Sequence, residues 1–231
     1  MEAGGGVPPS QSRTATTRKA ARTQAKLLAA GIELFASRGY EAAGLRDIEA
    51  HAGLQRGLIT YHFGTKEEFW KSCMNELFAR MTTDMPAGPE AAPDAEPAEA
   101  IRSLIGHYLR SSAENPDLMC IMLDEGRRDE WRLDWMVETH VRSFYEAVRT
   151  IFENARRHLA VREISAVQFY YLLVSSASIF AMAPECRLLS GTDPTGPGMV
   201  DAHVELIVSL LMAPGTAGTE PTTANQGGRA E

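Results

Sequence analysis

Apolar positions recur with a helical period over most of the chain. Residues 18–38 place Leu27, Leu28, Ile32, Leu34 and Phe35 on one stripe, with Thr17 ahead of them as a cap and Arg38-Gly39-Tyr40 as the stop. From 98 to 114, Ile101, Leu104, Ile105, Tyr108 and Leu109 fall at i, i+3, i+4, i+7 and i+8, and Asn115-Pro116 ends the run. The pattern then predicts a short helix with Leu118, Met119, Met122 and Leu123 inward, one long helix over about 129–159, and two more over 165–183 and 199–212. No segment alternates as a half-buried strand does, so the fold class is all-α.

The segment 45–63 is patterned differently. Two short amphipathic stretches, one starting at Leu45 and Ile48 and one over 55–61, are separated by Ala52-Gly53-Leu54. That spacing predicts a helix-turn-helix. Gly53 supplies the positive φ of the turn, and Ala52, Leu54 and Ile59 fill the angle between the helices. The second helix then presents Gln55, Arg56, Thr60 and Tyr61 outward, where Arg can pair with guanine edges and Gln with adenine. Thr65 caps the next helix, Glu68 completes a capping box, and Lys66 at the first helical position marks a phosphate site, to which His62 can add a donor.

Gly- and Pro-rich stretches divide the chain. They set off a flexible basic arm (1–16), a helix-turn-helix head (17–64), a connecting helix (65–84), a Pro-rich loop (85–97), a helical body (98–212) and a disordered tail (213–231). Net charge is −7, but residues 1–80 carry 11 Lys+Arg against 8 Asp+Glu, and residues 81–231 carry 12 against 22. A basic head on an acidic body fits a protein whose head alone meets a polyanion, and fits chance surface variation as well. Arg18, with Arg13, Lys19 and Arg22, lies where the arm joins the first helix. These residues can follow phosphates or enter a minor groove, or they form a solvated tail.

Other chemistry is scarce. Cys73, Cys120 and Cys186 are scattered, so a disulfide framework and a Cys-pair zinc site are excluded, and a reducing cytoplasmic setting is expected. His107, His140 and His158 lack chelate spacing, so no metal or other cofactor is expected. Neither GxSxG, a Gly-rich phosphate loop nor HExxH is present, which argues against an enzyme. Residues 166–183 hold no charge over eighteen positions, near the minimum for a membrane span. Their Gln168, Ser175, Ser176 and Ser178 point instead to a helix buried against a partner, and no membrane is expected. Within the body, His107, Tyr108, Met119, Met122, Trp135, Met136 and His140 are polar or soft residues on inward stripes. They are candidate contacts for a small-molecule effector, with ordinary packing as the alternative.

Residues 22–70 resemble the N-terminal DNA-binding domain of the TetR family of bacterial transcriptional regulators. The likeness is carried by Leu34-Phe35-Ala36, Gly39-Tyr40, Arg46-Asp47-Ile48, Ala52-Gly53-Leu54, Arg56-Gly57, Tyr61-His62-Phe63 and Lys66-Glu67. The resemblance implies a three-helix DNA-binding domain followed by a helical ligand-binding and dimerisation domain. It makes Arg56, Gly57, Thr60 and Tyr61 groove-facing, His62 and Lys66 phosphate contacts, and Arg46 a backbone contact. It also implies a homodimer through 165–183 and 199–212, a palindromic double-stranded DNA operator, and a repressor released when an effector moves the first body helix. Two residues depart from the family pattern. Thr60 replaces a phosphate-touching tyrosine, so that contact is lost or becomes a methyl contact to thymine. Glu49 replaces a small alanine under the recognition helix, so its stem is expected to snorkel outward or the helices to separate. A helical protein-interaction module and an enzyme with a vestigial helix-turn-helix are the rival readings.

Overall fold

The computed structural model describes residues 10–83, 85, 96–159 and 161–212, with side chains from Thr17 onward. Helix α1 (Ser10–Ala42) starts earlier than the pattern predicted. The run 10–22 holds no Gly or Pro to stop a helix. Part of the expected flexible arm is therefore helical, and Thr17 stands inside the helix and is not its cap. Residues 1–9 lie outside the described residues, as do 86–95 of the Pro-rich loop and the tail 213–231. At Gly39 the backbone leaves helical geometry (φ 76°, ψ 169°), and Tyr40 folds back to stack on Phe35 with ring centroids 6.0 Å apart.

Three helices complete the head: α2 (Leu45–His51), α3 (Leu58–Phe63) and α4 (Lys66–Thr82). Its core joins Leu27, Leu34 and Phe35 of α1 to Ile48, Ile59 and the inner face of α4. Phe69, Trp70, Cys73, Met74 and Leu77 of α4 are all fully buried or nearly so, so the helix expected to connect two domains is a structural member of the first.

The body begins with α5 (Pro97–Glu114) and α6 (Pro116–Glu125), each started by a proline at the position where its missing N–H costs nothing. In α6, Ile121 takes the inward place expected of Leu123, which is half exposed. The predicted long helix over 129–159 is not uniform. It runs as α7 (Trp131–Met136), a π-helical turn (Val137–Val141) and α8 (Arg142–His158). The uncharged segment after it breaks into α9 (Ala166–Ser176) and α10 (Ser178–Ala181), and α11 (Ala183–Ser190) starts at its last residue. Pro184 lacks the N–H needed to continue, and the axis bends by 71° between Ala166–Ala181 and Ala183–Ser190. No single helix among the described residues is long and apolar enough to cross a membrane; that bent pair meets the length and composition requirement only as a pair. Phe169, Leu173, Ala177 and Phe180 of α9–α10 are buried in the body core, where Phe169 stacks on Phe152 of α8 at 4.6 Å. Helix α12 (Pro197–Leu211) packs on α5 through Val204, Ile207 and Val208.

Head and body share one packed joint. Leu118, Ile121 and Met136 of the body belong to the same buried cluster as the head core. Beside them Arg132, only 2% exposed, is held by three carboxylates. Its Nε donates to both oxygens of buried Glu125 at 2.9 Å, Nη1 reaches Glu41 at 3.4 Å, and Nη2 pairs with Glu130. The guanidinium lies over the Tyr40 ring at 4.5 Å. Trp70 meets Tyr40, Trp131 and Trp135 at 5.6–6.1 Å, and its indole N–H, without a hydrogen-bond acceptor, sits among their rings.

Removing one partner of a buried pair leaves the other charge stranded in a site built for two. Arg132→Met should therefore lower stability by about 3–5 kcal/mol in urea unfolding, and the double change with Glu125→Leu should recover most of the loss. A single-variant loss below about 1 kcal/mol would show that the ion pair is not holding the joint.

Candidate nucleic-acid interface and internal cavity

The turn between α2 and α3 forms as its sequence requires, with Gly53 at φ 66°. Gly57, the residue ahead of α3, sits at φ 87° with open space where a side chain would be, and contributes no side-chain cap. The cap comes from Glu49, which corrects the expectation that its stem snorkels outward. Glu49 is 3% exposed and turned under the recognition helix, where Oε2 accepts from Gly57 N at 3.1 Å and Oε1 from Ile59 N at 2.9 Å. A carboxylate reaching up from α2 thus satisfies N–H groups that α3 leaves open at its start. Where a smaller residue would only pack, Glu49 fixes the angle and register of α3 by hydrogen bonds.

Gln55, Arg56, Gly57 and Thr60 are exposed on this helix and its approach, and Tyr61 is 81% exposed. Arg46 on α2 and Arg18 on α1 are exposed as well. Arg18, Arg46 and Arg56 make no ion pair among the described residues. Body arginines behave differently: Arg102 pairs with Glu205 at 2.5 Å, Arg110 with Asp201 at 3.0 Å and Arg149 with Glu146 at 2.6 Å. These three head arginines therefore carry charge that no acidic side chain among the described residues offsets.

His62 and Lys66 are half-buried. The His62 ring meets Tyr61 edge-on at 4.8 Å. Lys66 Nζ lies 4.5 Å above the Tyr40 ring and donates to the Glu41 carbonyl at 3.3 Å. Burial lowers its pKa, against the pull of Glu41. Thr65 Oγ1 accepts from Glu68 N at 3.1 Å, but the reciprocal half of the predicted capping box is absent, because the Glu68 carboxylate faces Lys71 at 3.6 Å.

A cavity of about 430 Å³ opens between the C-terminal half of α4, α5, α6, the π-helical turn, α8 and α9. His107, Tyr108, Met119, Met122 and His140 line it. Trp135 and Met136 do not. Trp135 packs on Trp70, and Met136 is fully buried in the head core, because the helical turn that carries them faces the joint. Asn75, Phe78, Phe144 and Tyr170 also line the space. Phe144 stood on an inward stripe and could have been chosen, whereas Asn75 and Phe78 lay on a helix read as a connector. His140 Nε2 donates to Asn75 Oδ1 at 2.9 Å, its ring stacks on Phe78 at 4.3 Å, and burial lowers its pKa. Among the described residues no three His, Cys, Asp or Glu side chains come together as a metal site would require.

Residues 27–73 match the family described as "Bacterial regulatory proteins, tetR family". Over 76 residues the chain is 36% identical to the HTH-type transcriptional repressor Rv3405c of Mycobacterium tuberculosis, a match covering 31% of this chain and 40% of that protein. A crystal structure of a tetR-family regulatory protein from Rhodococcus RHA1 superposes with a TM-score of 0.64 at 20% identity, covering 83% of this chain and 98% of that one.

The head of the chain, over residues 27–73, therefore matches the TetR family. The chain's likeness to curated relatives is strongest in the head; the chain spans less than half the length of Rv3405c in that match. A longer alignment, 23% identical over 183 residues, relates the chain to the HTH-type transcriptional repressor SCO4008 of Streptomyces coelicolor, covering 78% of the chain and 90% of that protein. HlyIIR, a hemolysin II transcriptional regulator, shares the fold with a TM-score of 0.64 at 17% identity over 84% of the chain and 99% of its own.

The Glu49 cap makes a local prediction for this TetR-family head. Glu49→Ala should destabilise it by about 1–3 kcal/mol, the cost of leaving buried N–H groups without an acceptor. Amide exchange at Ile59 should accelerate more than at Ile48, which NMR can read; equal rates in variant and parent would refute the cap.

Proposed function

We propose that the chain is a transcriptional repressor that binds a near-palindromic DNA operator as a homodimer and is released by a small molecule held in the body cavity. One observation carries the reading: a single rigid helix, α4, touches both sites. Its first residue is Lys66, beside the recognition helix, and its C-terminal half gives Asn75, Phe78, Ala79 and Thr82 to the cavity wall. Whatever fills the cavity acts on the helix that sets the head.

In this reading Arg56, Gly57, Thr60 and Tyr61 enter the major groove, with Gln55 at its edge. Gly57 leaves room for close approach, and Thr60 offers a methyl group to thymine. Arg46, His62, Lys66 and Arg18 hold phosphates. Lys66 must leave the Tyr40 ring to do so, which ties phosphate contact to the joint where Arg132 sits. The lever differs from the one that sequence suggested: the head rests on α6 and α7 as well as on α5, so α4 and the joint carry the movement together.

A dimer is supported by apolar side chains left exposed on the last helices of the body. Tyr171 of α9, Leu188 and Leu189 of α11, and Leu206 and Leu210 of α12 are 45–88% exposed. Two such faces, joined by a two-fold axis, would set the recognition helices about 34–36 Å apart, one turn of DNA. An effector that favours the spread state by about 1–3 kcal/mol lowers operator affinity about 5–150-fold. A protein that reads chromosomal DNA in this way works in the bacterial cytoplasm.

The test uses the DNA flanking the chain's own gene. Arg56→Ala should weaken binding by about 1–3 kcal/mol and relax sequence preference at one position. Lys66→Ala should weaken all sequences alike and reduce the slope of log K against log salt by about 1. Unchanged binding in both variants would remove the recognition helix from the role given to it. Separately, Leu206→Asp with Leu210→Asp should convert the dimer to a monomer in sedimentation; a dimer that persists would place the interface elsewhere.

A further inference from the structure

Among the described residues, those lining the cavity include no Asp, Glu, Lys or Arg. Burial lowers the pKa of His140, pushes the Tyr170 hydroxyl up to about 12 and raises that of Tyr108 further. Among the described residues no fixed charge stands in the wall to pair with a charged ligand, and an ion taken out of water without a partner loses far more than apolar contact returns.

Much of the polar wall is already engaged. His107 Nε2 meets the Met81 carbonyl at 3.0 Å, and Asn115 Nδ2 donates to the Ser111 carbonyl at 3.0 Å. Because Asn75 Oδ1 can only accept, His140 Nε2 carries the proton of their bond and Nδ1 is left as an acceptor. The Asn75 amide N–H groups and the Tyr170 hydroxyl have no hydrogen-bond partner among the described residues.

Rings form a strip along one side. Phe78 lies flat on His140 at 4.3 Å and 11°. One helical turn on, Phe144 lies nearly parallel to Tyr108 at 5.4 Å and 21°, with Tyr170 tilted against it at 6.1 Å. Methionines 81, 85, 119 and 122 supply much of the rest, soft enough to close around more than one outline.

We propose that the cavity takes an uncharged aromatic molecule, whose rings stack along the strip from Phe78 to Tyr170 and whose neutral hydrogen-bonding groups meet Asn75, His140 Nδ1 and Tyr170. This names the ligand class of the cavity; that such a ligand releases DNA rests on the repressor reading above. Trp135 meets His140 edge-on at 5.5 Å, so tryptophan emission reports what occupies the site.

The full chain is titrated with 2-naphthol, 2-naphthoate and 1-decanol by calorimetry and tryptophan fluorescence. 2-Naphthol should bind saturably, roughly a hundredfold or more tighter than 2-naphthoate, and tighter than 1-decanol. Phe78→Leu should weaken 2-naphthol about three- to tenfold by removing a stacking face, and Ala147→Trp should abolish its binding by filling the space. Equal binding of 2-naphthoate overturns the charge argument, and equal binding of 1-decanol overturns the aromatic one. Failure of 2-naphthol to bind, or binding unchanged in both variants, overturns the proposal entirely. If 2-naphthol binds as expected and DNA affinity does not change, the ligand class stands and the release mechanism falls.

Discussion

The architecture depends on a charged group buried where the head meets the body. Arg132 has almost no contact with water, so its guanidinium must be matched inside the protein, and the three carboxylates that match it come from different places in the chain. Glu125 ends α6, Glu130 precedes α7, and Glu41 ends α1. The pairing therefore holds only when these elements are in register. Apolar contact at the same joint tolerates small slides, whereas a guanidinium hydrogen-bonded to several carboxylates does not. That difference suits a protein whose head must hold an angle relative to its body.

Glu49 shows the same economy at smaller scale. The recognition helix is six residues long and starts from a glycine, so it has little stability of its own. A carboxylate anchored in α2 supplies what its own sequence lacks, and ties the exposed face of α3 to the packed core one layer below. The side chains that face outward are then free of structural duty. Arg18, Arg46 and Arg56 carry charge with no acidic partner among the described residues, in contrast with Arg102, Arg110 and Arg149 of the body.

The cavity and the joint are neighbours through α4 and the π-helical turn. His140 stacks on Phe78 inside the cavity and meets Trp135 on its other side, and Trp135 packs on Trp70, which meets Tyr40 beneath Lys66.

The local helices were legible in the sequence because their signals are local. Apolar period, Asn115-Pro116 and the turn at Gly53 fixed α5, the end of that helix and the helix-turn-helix without reference to distant residues. The exposed residues of the recognition helix were readable for the same reason: a short helix with two inward residues has its outward set decided. What the sequence could not settle was where long-range partners come from. Glu49 looked like a misplaced charge because its acceptor role needs the amides of residues 57 and 59 to arrive above it. Trp135 and Met136 looked like pocket residues because an inward stripe does not say which interior it faces, and the joint claimed them. Asn75 and Phe78 joined the cavity wall only because α4 runs through the head core and into the body. Periodicity specifies that a side chain is buried; the packing of whole helices specifies against what.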